Sequence, residues 1–210
     1  VISICLRNGV YILAQMVREP YLVFFNHFNE ENNWKGVTLK EEDILFCKAV
    51  TRQFLRYSPV AIIKEVNPLL DYELPKEWIY SHIGGHNITI SVKGRERQVV
   101  GFGQRCSLVL ADKDSGQPED NPLMGLFQAY IIPDIKEKDW DRVGQAELMS
   151  IEVFPTLNER LYLCFLYGKN INPEQDISLG KPLLDDYETY IDILTNSPEA
   201  RHLYLGEYEE

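Results

Sequence analysis

Two β-favouring runs joined by Asn8-Gly9 constrain this chain more than any other feature of it. Val1-Ile-Ser-Ile-Cys-Leu6 and Val10-Tyr-Ile-Leu-Ala-Gln-Met-Val17 flank the pair. Asn-Gly supplies the two positive-φ residues that a type I′ turn requires, so the chain is expected to open with a hairpin. Tyr21-Leu-Val-Phe-Phe25 follows after Arg18-Glu19-Pro20. It is too apolar for an exposed strand and too short for a lone helix, which predicts a buried third strand and a three-stranded meander.

Beyond the meander, Asn26 to Gly36 is polar and Asn-rich and reads as a long loop. Ile44–Val50 and Ala61–Val66 are the next strand candidates, among Pro59, Pro68 and Pro75. A second hairpin is expected from His86–Val92, the turn Lys93-Gly94 and Arg95–Phe102, with Ile88, Ile90 and Val92 on one face. Ser107–Ala111 adds a strand. Asp112 to Pro122 is the most linker-like stretch, dividing a β-rich unit at residues 1–111 from a second at 123–210 that either stands alone or packs with the first. In that second part, Glu147–Phe154 and Arg160–Tyr167 around Pro155–Glu159 read as a third hairpin. Leu183, Leu184, Tyr187, Ile191 and Leu194 follow helical spacing, predicting an amphipathic helix from Leu183 to about Thr195. The expected class is α+β and mainly β: an antiparallel meander or partly open barrel, a further hairpin and a C-terminal helix.

Composition bounds the function. Hydrophobic residues make up 45% and aromatic residues 11%, which is globular rather than disordered. The net charge of −11 argues against a wide nucleic-acid face and suits a basic partner. No apolar run approaches the length of a membrane span, and the N-terminus has no signal-peptide pattern, so a cytoplasmic protein is expected. Cys5, Cys47, Cys106 and Cys164 lie far apart in apolar surroundings and read as free buried thiols.

Catalytic motifs are weak. His82-Ile-Gly-Gly-His86 has metal-ligand spacing only if helical, and the two glycines oppose that. Gly101-Phe-Gly103 lacks the rest of a phosphate loop. Lys93, Arg95, Arg97 and Arg105 form one basic cluster, read as a solvated hairpin tip or an anion contact. No catalytic residue, metal ligand or cofactor is assigned.

Acidic residues gather at Glu30, Glu31, Glu41, Glu42 and Asp43, at Asp134, Glu137, Asp139 and Asp141 around Trp140, and at Asp185, Asp186, Glu188 and Asp192 with the tail Glu207, Glu209 and Glu210. Two readings stay open: solvated faces, or a surface that steers a basic protein.

The segment Ile2–Val17 with Pro20–Asn26 resembles the opening of the immunity protein 26 family of bacterial polymorphic toxin systems. That family opens with a strand, a polar-Gly turn, a strand carrying Tyr and an Ala-Gln or Gly-Arg pair, and a strand ending in Phe-Phe or Phe-Asp. The likeness covers residues 1 to about 50. It implies a cytoplasmic antitoxin that occludes a cognate toxin C-terminal domain, such as a nuclease, without catalysis, as in contact-dependent inhibition. The family carries no residue-level contact motif, so the expected partner contacts rest on charge and aromaticity: Glu30, Glu31, Trp34, Asp139, Trp140 and Asp141. The competing readings are a small metal- or ligand-binding barrel or enzyme using His82 and His86, and a structural adaptor.

Overall fold

A computed structural model describes residues 1–82, 87–102, 105–111, 127–197, 200 and 203. Its strands in chain order are β1 (Ile2–Cys5), β2 (Tyr11–Arg18), β3 (Tyr21–Asn29), β4 (Ile44–Val50), β5 (Val60–Ile62) and β6 (Glu77–Ser81), then β7 (Asn87–Val92), β8 (Arg95–Val100), β9 (Cys106–Leu110), β10 (Ala129–Ile132), β11 (Glu147–Leu148) and β12 (Ile151–Glu152). The helices are α1 (Arg52–Tyr57), α2 (Trp140–Val143), α3 (Thr156–Tyr167), α4 (Pro173–Leu179) and α5 (Glu188–Leu194). The fold is mixed α+β, with a curled half-barrel sheet rich in antiparallel pairing and a C-terminal helix.

The chain divides into two compact units. The first comprises Val1–Glu73, Ser150–Asn172 and Asp185–Glu210; the second comprises Leu74–Met149 and Pro173–Leu184. The expected linker at Asp112–Pro122 lies outside the described residues.

The first unit holds a six-stranded sheet in the order β12-β4-β3-β2-β1-β5. Its opening hairpin turns on Asn8 at φ 61° and Gly9 at φ 72°, both left-handed as the Asn-Gly pair requires. The meander β1-β2-β3 forms as expected and β4 extends it, except that β3 continues through Asn29 into the stretch read as loop. Ala14, Phe24 and Phe46 lie side by side across its strands, and the Phe24 and Phe46 ring centroids are 4.9 Å apart. On the other face, Gln15, Val23 and Cys47 are neighbours. There the Gln15 amide pairs with the Leu69 backbone in both directions, donating to its carbonyl at 2.8 Å and accepting from its N–H at 2.7 Å. A half-buried phenol, Tyr72, lies against Cys47 on that face, and its burial raises its pKa. The residues after β5 thus strap that face.

α3 covers the phenylalanine face, and it corrects the expected third hairpin. Arg160–Tyr167 is helical, Glu147–Leu148 and Ile151–Glu152 are two-residue strands, and no hairpin joins them. Leu157, Leu161, Leu163 and Cys164 are fully buried, and each leucine contributes about 2 kcal/mol of transfer free energy. Gly168, at φ 63°, ends the helix. Asn158 and Glu159, read as part of the hairpin loop, and Arg160, read as the start of its second strand, are buried too and bonded inside. Ser58 donates its hydroxyl to Asn158 at 3.1 Å. Arg7 binds Glu159 through two bonds of 2.9 and 3.0 Å, with its guanidinium 3.7 Å above the Tyr162 ring. Arg160 donates to Ile171 O and Asn170, contacts Glu152 at 3.4 Å and stacks 3.7 Å over Phe46. Lys48, also buried, donates to Ser150 at 2.9 Å. The expected C-terminal helix is present as α5, entered by a 3-10 turn at Asp185–Tyr187, with Tyr187, Tyr190 and Ile191 buried at helical spacing.

The second unit contains a sheet in the order β10-β9-β6-β11 and the separate β7–β8 ribbon. Ile79, Cys106, Leu108, Ile135, Val143 and Leu148 form its core, with Trp140 and Leu179 packed against them. The ribbon matches the expected second hairpin. Lys93 (φ 50°) and Gly94 (φ 72°) make its turn, and Val92 is buried while Asn87, Thr89 and Ser91 are exposed.

Candidate interaction surface

The β3–β4 connection joins two neighbouring strands of the first sheet, yet it spends fourteen residues, Glu30 to Asp43, doing so. A connection that long without regular structure is either functional or loose. This one is fastened by its own side chains. Asn32, at φ 50°, aims its carbonyl oxygen at two buried donors: the Ser3 hydroxyl at 2.6 Å and the Trp34 indole N–H at 2.7 Å. Asn29 accepts from the Glu31 N–H and donates to Asn33 O, Asn33 accepts from the Lys35 N–H, and Val37 N–H bonds Trp34 O. Such side-chain turns replace the backbone pairing that a loop lacks.

At its far end a 3-10 turn of Glu41–Asp43 leads into β4. The Asp43 carboxylate accepts the Lys40 N–H at 3.1 Å and lies 3.1 Å from His27 Nε2 of β3. Glu30, Glu31, Glu41 and Glu42 are exposed on this frame, with Lys40 3.3 Å from Glu42. The first unit has nineteen Asp and Glu against eleven Lys and Arg, the second thirteen against ten, so the acidic excess is concentrated in the unit that carries this loop.

Trp34 does not take part as a surface anchor. At 1% exposure it is a core plug, because its only polar atom is satisfied by Asn32 and its ring closes the loop from below. Of the expected contacts, Glu30 and Glu31 remain on this surface.

Asp139, Trp140 and Asp141 belong to the second unit. Asp139 accepts the Lys136 N–H at 3.0 Å and so caps a turn. Trp140 is half-buried against the core, with Lys181 Nζ 5.7 Å from its ring centroid, and only Asp141 is exposed. Sequence reading missed Asn32 and His27. The cluster of Asn26, Asn29, Asn32 and Asn33 was the available signal, since Asn is the residue that braces loops.

Ser107 donates its single proton to Pro133 O at 2.6 Å, so its oxygen accepts from His82 Nε2–H at 2.8 Å, and that assigns the tautomer. Burial and the nearby Arg105 lower the His82 pKa. The ring packs against Tyr80 and Tyr130, which both contact Phe127. His86 and Gly103 lie outside the described residues. Among the described residues no group of three His, Cys, Asp or Glu is placed to hold a metal ion, and no helix is long and apolar enough to cross a membrane.

Fold and surface together define an α+β protein that carries, among its described residues, a braced acidic loop on a mainly antiparallel sheet. Residues 1–104 match the family model of a domain of unknown function (DUF8309). No curated protein and no solved structure matches the chain.

Proposed function

We propose that the chain is a binding protein of the antitoxin kind: a cytoplasmic immunity protein that neutralises a cognate, basic toxin domain, such as a nuclease, by occluding its active site. The observation that carries this reading is the Glu30–Asp43 connection, where exposed carboxylates stand on a loop whose polar side chains are committed to holding it still. Preorganisation lowers the ordering cost of binding, and a field of one sign speeds encounter with a partner of the other. The resemblance of the first strands to immunity protein 26 points the same way. A basic cleft that binds phosphate is a surface these carboxylates would occupy.

The test is a titration of the purified chain against the toxin domain encoded beside it, at several salt concentrations. Tight binding with strongly salt-dependent association, weakened when Glu30, Glu31, Glu41 and Glu42 are together changed to Lys, is the expected result. Unchanged affinity and salt dependence in that variant would remove the loop from the interface, and no complex at all would remove the reading.

A further inference from the structure

Among the described residues, β5 is the last strand of the first sheet and pairs only with β1. The register Ile2↔Ile62, Ser3↔Ala61, Ile4↔Val60 is fixed by Cys5 N–H to Pro59 O at 2.9 Å and Ile63 N–H to Val1 O at 3.1 Å. In an antiparallel ladder, bonded pairs alternate, so Pro59, Ala61 and Ile63 face β1 while the N–H and C=O of Val60 and Ile62 point outward. The side chains of Val60 and Ile62 lie on the same face as Ile4, which is wholly buried, yet they are 36% and 76% exposed. The core face of the sheet therefore runs out past its cover at an edge with open backbone groups. Neither Pro nor a charged residue lies within this three-residue strand to blunt it.

The charge around this edge is opposite to that of the unit. Residues 51–64 contain Arg52, Arg56 and Lys64, all exposed, and no carboxylate; Arg56 lies before the strand and Lys64 just after it, where the exposed Glu65 follows. Arg52 reaches Glu19 at 3.5 Å, a pair that is mostly in solvent.

We propose that the outer edge of β5 is a strand-addition site for an extended peptide segment of a partner, with alternating apolar side chains at its centre and carboxylates at its flanks. Main-chain bonds to Val60 and Ile62 give the register, the two exposed aliphatics meet the apolar residues, and Arg56 and Lys64 select the acidic flanks. The site does not depend on the antitoxin reading, whose partner is basic and meets the acidic loop.

The experiment titrates the full chain by fluorescence anisotropy with a labelled heptapeptide, Val-Thr-Val between paired glutamates, and with its lysine-flanked counterpart. The glutamate peptide is expected to bind about tenfold tighter or more, with the gap closing as salt rises. Ile62→Pro removes an outward donor that β1 does not use, so it is expected to abolish binding and leave the unfolding midpoint in place. Arg56→Glu with Lys64→Glu is expected to reverse the preference. Hydrogen exchange at the Val60 and Ile62 amides, slowed by the glutamate peptide, reports the site without any variant. Equal binding of both peptides, no binding at millimolar peptide, or no slowing at those amides would overturn the proposal. So would self-association of the chain that Ile62→Pro abolishes, which would give the edge to a second copy.

Discussion

Asn32 is the position at which the loop reading is most exposed to refutation. Its side-chain oxygen is the shared acceptor of the Ser3 hydroxyl and the Trp34 indole, whose residues are each 1% exposed, and its backbone is left-handed at φ 50°. Asn32→Ala removes the acceptor from two buried donors, at about 1–3 kcal/mol each, and replaces a side chain that tolerates the left-handed backbone with one that does not, for about another 1 kcal/mol. A loss of about 3–7 kcal/mol is expected, a large fraction of a domain's stability. Asn32→Gly keeps the bond loss and removes the strain, so it is expected to fall about 1 kcal/mol short of Asn32→Ala. Asn32→Asp retains an acceptor for both donors and is expected within about 1 kcal/mol of the parent. Urea unfolding followed by tryptophan fluorescence measures all three, and Asn32→Ala is expected to red-shift the native emission as Trp34 meets water. A loss below about 1 kcal/mol in Asn32→Ala, or equal damage from Asp and Ala, would show that the loop is not held by this oxygen.

Three further outcomes test the rest of the structure. Arg7→Met withdraws a bidentate partner from Glu159, which is fully buried, and is expected to cost about 3 kcal/mol in denaturant melts. Replacing both residues by Met should cost less than the sum of the single changes; strict additivity would deny the pair any coupling. His82 titrates lower in the folded chain than in the unfolded one. The unfolded state therefore takes up the proton first, and stability is expected to fall as pH drops below the ordinary histidine value of 6.5 toward the lowered one, a loss that His82→Gln reduces in thermal melts. Burial pushes the Cys106 thiol up to about 11, and Cys47 and Cys164 are buried while Cys5 is partly exposed. A disulfide reagent at pH 8 is expected to label Cys5 quickly and Cys106 only in denaturant; rapid native labelling of Cys106 would contradict its burial.

What was legible in the sequence followed the range of the interactions that decide it. Asn8-Gly9 and Lys93-Gly94 announce their turns because left-handed φ is a local demand met by the residues themselves. α3 was illegible for the converse reason: a helix buried on nearly every side has no polar stripe, and its apolar run imitates a strand. Its polar triplet Asn158-Glu159-Arg160 misled further, because the partners that make it a core element, Ser58, Arg7 and Phe46, lie in other parts of the chain. β11 and β12 are two residues each and exist only through parallel pairing with β6 and β4. At the surface the carboxylates were legible as charge, but Trp34 was not legible as a plug, since the pairing that buries it runs through Asn32 to Ser3 at the other end of the meander.

The charged residues inside the first unit bear on how its surface would work. Arg7, Lys48 and Arg160 are set against Glu152 and Glu159, so this set carries more cations than carboxylates and adds nothing to the acidic excess. The excess lies in the remaining residues, Glu30, Glu31, Glu41 and Glu42 among them. Steering depends on that surface charge, whereas residence time depends on how rigidly the contacting loop is held. The two are carried by different residues and can be separated. Glu30→Gln with Glu31→Gln removes charge and leaves the Asn32 brace intact, so in the complex it is expected to slow association and flatten its salt dependence, with dissociation little changed. Asn32→Gly leaves every carboxylate in place but frees the loop, and is expected to speed dissociation with association and its salt slope preserved. Stopped-flow kinetics on both variants decides it: if the two changes alter the same rate constant, the loop is a diffuse patch of charge and not a preformed contact.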